Sequence, residues 1–286
     1  MGEQQSVGTI AEIWRFPVKS MAGERLQTAE ITSDGVVGDR AYALVDEATG
    51  DVVSAKNVRH FPGVLACAAA FEEPPAAGRP APAVEVRLPG GEVVSSKGGA
   101  ADAALSRFFN RQVRLARAAP GEGAAAVGDR VIIDRRQRRY VEGLKMLGLA
   151  TLAPAATFVD IFQMSVVTTS TLRRLGEVAP ASSFDRRRFR MNVVLETAAD
   201  GFAENGWTGR RLMLGDGVRL KVVVPDARCV MTTLAQGDLP EDQGVLRALE
   251  AHNQAEFLGK LYPCAGVYAV VEAAGVLGVG DPARLA

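Results

Sequence analysis

Short β patterns, each ended by a turn signal and not alternating with helices, limit this chain to a small set of folds. Val7 to Phe16, Leu26 to Thr32, Ala41 to Asp46, Val84 to Leu88 and Glu92 to Ser95 read as strands, divided by Asp34-Gly35, Thr49-Gly50 and Pro89-Gly90-Gly91. Asn192 to Leu195, Arg211 to Leu214, Val218 to Val224 and Val267 to Glu272 follow, with Leu214-Gly215-Asp216-Gly217 as a hairpin turn. A doubly wound parallel sheet needs a helix between successive strands, and this order does not supply it. Three helices are expected. One runs from Asp102, as cap, to Asn110; a second starts at Thr169-Ser170-Thr171, ahead of Leu172 and Leu175; a third spans Gln243 to Phe257. The expected class is α+β, mostly β, with barrel or meander sheets.

Two stretches interrupt the pattern. Glu72 to Ala83 is rich in Pro, Ala and Gly and reads as a hairpin insertion. Ala118 to Gly128 is similar and marks a division into residues 1–118 and 119–286. The formal net charge is zero, so no global field recruits nucleic acid or an anionic membrane. No apolar run reaches the length of a transmembrane helix. The basic run Asp134 to Tyr140 reads as a solvated face that is also able to dock an acidic carrier.

Three cysteines and two histidines leave few routes to chemistry. Cys67, Cys229 and Cys264 are too far apart for a C-x-x-C or zinc-knuckle spacing, and a disulfide scaffold is not indicated, so a reducing, cytoplasmic compartment is expected. With His60 and His252 the only imidazoles, His-assisted nucleophilic catalysis has almost no candidates. Redox or metal chemistry would have to be carried by a bound cofactor. Cys229 is the residue to watch. Taken alone, a cysteine after a strand is core filler. Cys229, however, follows the strand-stopping Pro225 and sits beside Arg228, whose charge favours a thiolate. Cys264 reads as structural, and His252 as a packed or surface imidazole.

Four polar clusters stand beside turns or strand ends: Arg15-Phe16-Pro17-Val18-Lys19-Ser20, Val37-Gly38-Asp39-Arg40, Arg188-Phe189-Arg190-Met191-Asn192 and Ala227-Arg228-Cys229. They offer the cations, forked guanidinium groups and small donors that a phosphate takes. Together with Ala227-Arg228-Cys229-Val230-Met231-Thr232-Thr233, Gly266-Val267-Tyr268 and Val279-Gly280-Asp281-Pro282, their order resembles the MOSC superfamily, named for the C-terminal domain of molybdenum cofactor sulfurase. The resemblance is nearest to the two-part architecture of the mitochondrial amidoxime-reducing component and its bacterial relatives, and covers nearly the whole chain.

That resemblance implies an N-terminal MOSC β-barrel domain, then a MOSC β-barrel domain with a few helices, and a molybdenum cofactor (molybdopterin), or tungsten in its place, between them. Cys229 would be the protein ligand on the metal and the catalytic residue. Lys19, Ser20 and Arg40 would hold the cofactor from one side; Arg190, Asn192, Arg228 and Tyr268 from the other. The pattern departs from the family at Asp160-Ile161-Phe162, where relatives often carry a Thr-Ser pair, so only backbone groups are expected to serve there. The implied activity is reduction of N-hydroxylated or related N-oxygenated small molecules. Its electrons would come from a separate carrier of ferredoxin or cytochrome b type and its reductase, because the plant-type iron–sulfur spacing is absent. A carrier of the molybdenum cofactor or of sulfur is the alternative.

Overall fold

The computed structural model describes residues 4–56, 60–118, 157–257 and 259–286. Seven strands close into a barrel: β1 (Gln5–Arg15), β10 (Met164–Thr168), β11 (Val193–Glu196), β12 (Arg211–Leu214), β13 (Val218–Ala227), β15 (Lys260–Ala273) and β17 (Pro282–Leu285). The hydrogen-bonded order is β10-β11-β1-β17-β12-β13-β15, and β10 pairs back onto β15. Burial along β13 alternates residue by residue, the period of a strand with one face inward. Its Val218, Leu220 and Val222 meet Ile10, Ile13, Met164, Val193, Leu195 and Leu212 in one apolar cluster. Each such side chain stabilises the closed form by about 1.5–3 kcal/mol on leaving water.

The first strand of the sequence is built into this barrel, between β11 and β17. β2 (Glu24–Leu26) continues beside it, and β14 (Gln254–Phe257) extends β15. β3 (Thr28–Thr32), β4 (Gly35–Val36) and β16 (Gly275–Gly278) form a small separate sheet. Most of the remaining N-terminal chain makes a second body. There β5 (Tyr42–Asp46) pairs with β9 (Val113–Arg117), β6 (Ala68–Phe71), β7 (Val84–Arg87) and β8 (Val93–Ser95) form a meander, and α1 (Ala100–Phe109) packs beside them. Val18, Met21, Leu44, Phe61, Val86 and Leu105 are among its core. Residues 72–83 connect β6 to β7 as the insertion predicted from their composition, with Phe71 opposite Val84.

The mostly β, α+β class holds, with local corrections. Leu26 to Thr32 is two strands broken at Gln27. Asp102 does not cap α1; it lies inside the first turn, and its carboxylate accepts the Leu115 amide at 2.7 Å, tying helix to strand. The second helix, α2 (Thr169–Val178), is capped one residue earlier than expected, by Thr168. It joins β10 to β11, which run parallel. The third, α3 (Gly244–His252), stops where Asn253 bonds Cys264 through both backbone and side chain, and the chain turns into β14. Pro225 does not end β13; the strand continues to Ala227 across register shifts on either side of the proline. The connector beyond Ala118 and the Asp134–Tyr140 run lie outside the described residues.

Candidate functional site

Cys229 stands where β13 gives way to a turn of 3-10 helix over Val230–Thr233, and its carbonyl accepts the Thr232 amide at 3.1 Å and hydroxyl at 3.0 Å. Met231 and Leu234 then pack against the N-terminal core, so the cysteine is held at the junction of the two bodies. Its side chain is mostly buried but lines a cleft that opens to solvent. The structure brings all eight predicted residues to that cleft: Lys19, Ser20, Arg40, Arg190, Asn192, Arg228, Cys229 and Tyr268.

Backbone strain gathers at the same place. Among the described residues, only four non-glycine residues have positive φ: Ser20 at 67°, Arg40 at 47°, Arg190 at 54° and Asn110 at 49°. Asn110 caps the end of α1, an ordinary position for this conformation. The other three line the cleft. A left-handed non-glycine residue costs on the order of 1–3 kcal/mol, and such strain collects where a site must be held in one geometry. Gly266 makes a close approach of another kind: at φ 81°, a Cβ there would lie 2.4 Å from the Met191 side chain and 2.5 Å from the Val166 carbonyl.

Neighbouring elements lock the cations in place. The guanidinium groups of Arg40 and Arg190 lie 4.5 and 4.3 Å from the Phe16 ring centre, within cation–π range. Arg40 pairs with Asp39 and donates to the Arg190 carbonyl at 3.1 Å, while Arg190 donates to the Met21 carbonyl at 2.6 Å. Arg228 donates to Asp226 and to the Phe189 carbonyl, both at 2.5 Å. Lys19 donates to the Phe158 carbonyl at 2.8 Å and pairs with Asp160, which also takes Lys56 at 3.0 Å.

Five cations thus meet Asp39, Asp160 and Asp226, leaving a surplus of positive charge. Burial lowers Lys19 below its ordinary value against the pull of Asp160. Burial and then Arg40 push Arg190 down to about 9, which leaves it charged at neutral pH. Partial loss of water opposes the charge on Asp160, whose side chain is 35% exposed, yet Lys19 and Lys56 together hold its carboxyl well below the usual range.

Donors remain for an anion. Arg228 Nε is buried without a partner among the described residues. The Ser20 hydroxyl oxygen accepts the Ala55 amide at 3.0 Å, which leaves its proton to donate. An unpaired buried donor, a hydroxyl and excess cations fit a phosphate-bearing group. Asn192 differs from the other predicted residues: its oxygen accepts from Ser165, and its nitrogen donates to Asp39 at 2.9 Å and to the Trp14 carbonyl at 3.4 Å. It therefore fixes the wall instead of offering a free group.

Sequence reasoning missed Lys56, Asp160 and Asp226. The Asp160 side chain, not only its backbone, belongs to the cleft. Nothing in their spacing singles these residues out, although the alternation of β13 would have placed Asp226 on the inward face had Pro225 not been read as a stop. Cys67 and Cys264 are buried in the two bodies, and burial pushes both thiols up to about 12. Among the described residues no group of His, Cys, Asp and Glu forms a metal cluster.

The MOSC N-terminal beta barrel domain matches residues 7–125, and the MOSC domain matches residues 154–284. The chain belongs to the MOSC superfamily. Relatives of this MOSC protein include Mitochondrial amidoxime-reducing component 1 of Mus musculus, 27% identical over 98% of this chain and 83% of the relative. The same component of Homo sapiens is 26% identical over 98% and 84%. Mitochondrial amidoxime reducing component 2 of Homo sapiens is 26% identical over 97% and 83%. Among the described residues of this MOSC protein, no helix is long and apolar enough to cross a membrane.

Proposed function

We propose that this protein is a molybdenum-cofactor-dependent reductase of N-hydroxylated or related N-oxygenated small molecules. The observation that carries the reading is the cleft itself: a cysteine at a strand end, faced by surplus cations, three of whose wall residues hold strained backbone. The reductive names of the relatives point the same way.

The cofactor would supply a dithiolene-held metal able to exchange electron pairs and accept oxygen. Cys229 would contribute a soft anionic sulfur, the ligand type suited to such a metal. Arg190, Arg228, Lys19 and Ser20 would bind the phosphate by charge and hydrogen bonds. Arg40 would act chiefly on Arg190, through the shared Phe16 ring and the Arg190 carbonyl. Tyr268 and Phe162, with ring centres 5.3 Å apart and planes tilted by 36°, would form an aromatic wall that limits water. Electrons would come from a separate iron–sulfur or haem carrier.

The test is reduction of an aromatic amidoxime or hydroxylamine by cofactor-loaded protein with an artificial electron donor. Amine or amidine product that depends on Cys229 supports the reading. Molybdenum-loaded protein that reduces neither compound overturns it, and release of the cofactor to a recipient enzyme would favour a carrier.

A further inference from the structure

One buried group in the cleft reaches the cofactor side only through its pair with Arg228. Asp226 lies on β13, three residues before Cys229, and is 1% exposed. Its Oδ2 accepts Arg228 Nη1 at 2.5 Å, while Oδ1 is buried with no partner in good hydrogen-bonding geometry. The titratable groups facing it are Arg228 on its own segment, Tyr268 and Cys264 on β15, and Lys56 from the N-terminal body. A buried carboxylate served only by Arg228 and the nearby Tyr268 hydroxyl is costly to keep charged. A proton on Oδ1 removes the charge and makes it a donor.

Resting on the reductase reading, we propose that Asp226 donates a proton to the substrate oxygen in the cleft. The reaction R₂N–OH + 2e⁻ + 2H⁺ → R₂NH + H₂O breaks the N–O bond and makes one N–H and one O–H bond. The iron–sulfur or haem carrier gives the two electrons and is oxidised; the substrate is reduced. Asp226 gives one proton and regains it from water that enters the cleft when product leaves. The second proton comes from solvent. His60 and His252, the only imidazoles, are exposed and do not line the cleft. Burial, opposed by Arg228 and the Tyr268 hydroxyl, pushes Asp226 up to about 6. A carboxyl so placed holds its proton at a pH where ordinary carboxyls have lost theirs, as a general acid requires.

The experiment has two arms. In cofactor-free protein, the infrared difference between wild type and Asp226→Asn should contain a protonated carboxyl band that disappears with a midpoint of about 6. In loaded protein, Asp226→Asn should keep its molybdenum, lose about 100-fold in kcat, and lose the fall in rate as pH rises through that midpoint. Asp226→Glu should restore part of the rate and the pH dependence. A carboxyl ionised throughout, or an Asp226→Asn enzyme with wild-type rate and pH profile, overturns the assignment. Failure of the reductase reading looks different: the loaded wild type is itself inactive, and the assignment falls with it.

Discussion

Asn192 Nδ2 donates to Asp39 Oδ2 at 2.9 Å, joining a residue of the cleft wall to a buried carboxylate 153 positions away. Asp39 also accepts the Phe16 amide at 2.8 Å and pairs with Arg40. One buried carboxylate thus fixes the ring on which Arg40 and Arg190 rest and the asparagine that ties the wall to β10 and β1. Asp39→Ala should lower the free energy of unfolding by about 1–3 kcal/mol in a denaturant titration. Exposed Asp34→Ala should stay within about 0.5 kcal/mol of wild type.

The left-handed backbone at Ser20 can be isolated by comparing two variants. Ser20→Ala and Ser20→Gly both lose the bond from the Ala55 amide, but only glycine adopts φ 67° without strain. The glycine variant should be more stable than the alanine variant by about 1 kcal/mol. Both should bind the cofactor more weakly than wild type, by cofactor content after purification. Equal stability of the two would remove the argument from strain.

Acid dependence follows from Asp160. Its folded value is depressed, so its stabilising contribution is complete above the unfolded carboxylate value of about 3.9 and is lost as pH falls below it. In cofactor-free Asp160→Asn, the loss of stability between about pH 7 and about pH 3 should be smaller than in wild type. Acid titration of the unfolding midpoint checks this, and identical slopes would contradict it.

Arg188 is fully buried, and its partners are carbonyls: Ser183 at 3.1 Å, Leu234 at 3.2 Å, Pro240 at 2.7 Å and, more weakly, Thr232 at 3.5 Å. Three of these belong to the segment that follows Cys229. Arg188→Met should destabilise the fold by about 3 kcal/mol, because buried acceptors lose their donor. It should also speed modification of Cys229 by a thiol reagent in a Cys67→Ala, Cys264→Ala background. An unchanged rate would show that Arg188 does not hold the cysteine turn.

Much of the fold could be read from local pattern, because a strand with one buried face writes its period into the sequence. β13 and the Leu214–Val218 hairpin are the clearest cases. Closure of the barrel could not be read that way, since the pairings of β1 with β11 and β17 join opposite ends of the chain and leave no local trace. Gln243 to Phe257 carries apolar residues at helical spacing throughout, yet Asn253 redirects the chain through bonds to Cys264 that only the tertiary structure supplies. In the site, Lys19, Arg40, Arg190 and Arg228 stood out because each sits in a compact motif. Asp160, Lys56 and Asp226 are scattered singly, and proximity alone gives them meaning.

The central claim is that the Cys229 sulfur binds a metal held in the cation-lined cleft. X-ray absorption at the molybdenum edge, on protein from cells that make the cofactor, tests it most directly. Wild type should contain about one molybdenum per chain, and Cys229→Ser should show one sulfur fewer on the metal or lose the metal altogether. An unchanged sulfur shell in Cys229→Ser, or wild-type protein that takes up no molybdenum, would contradict the account.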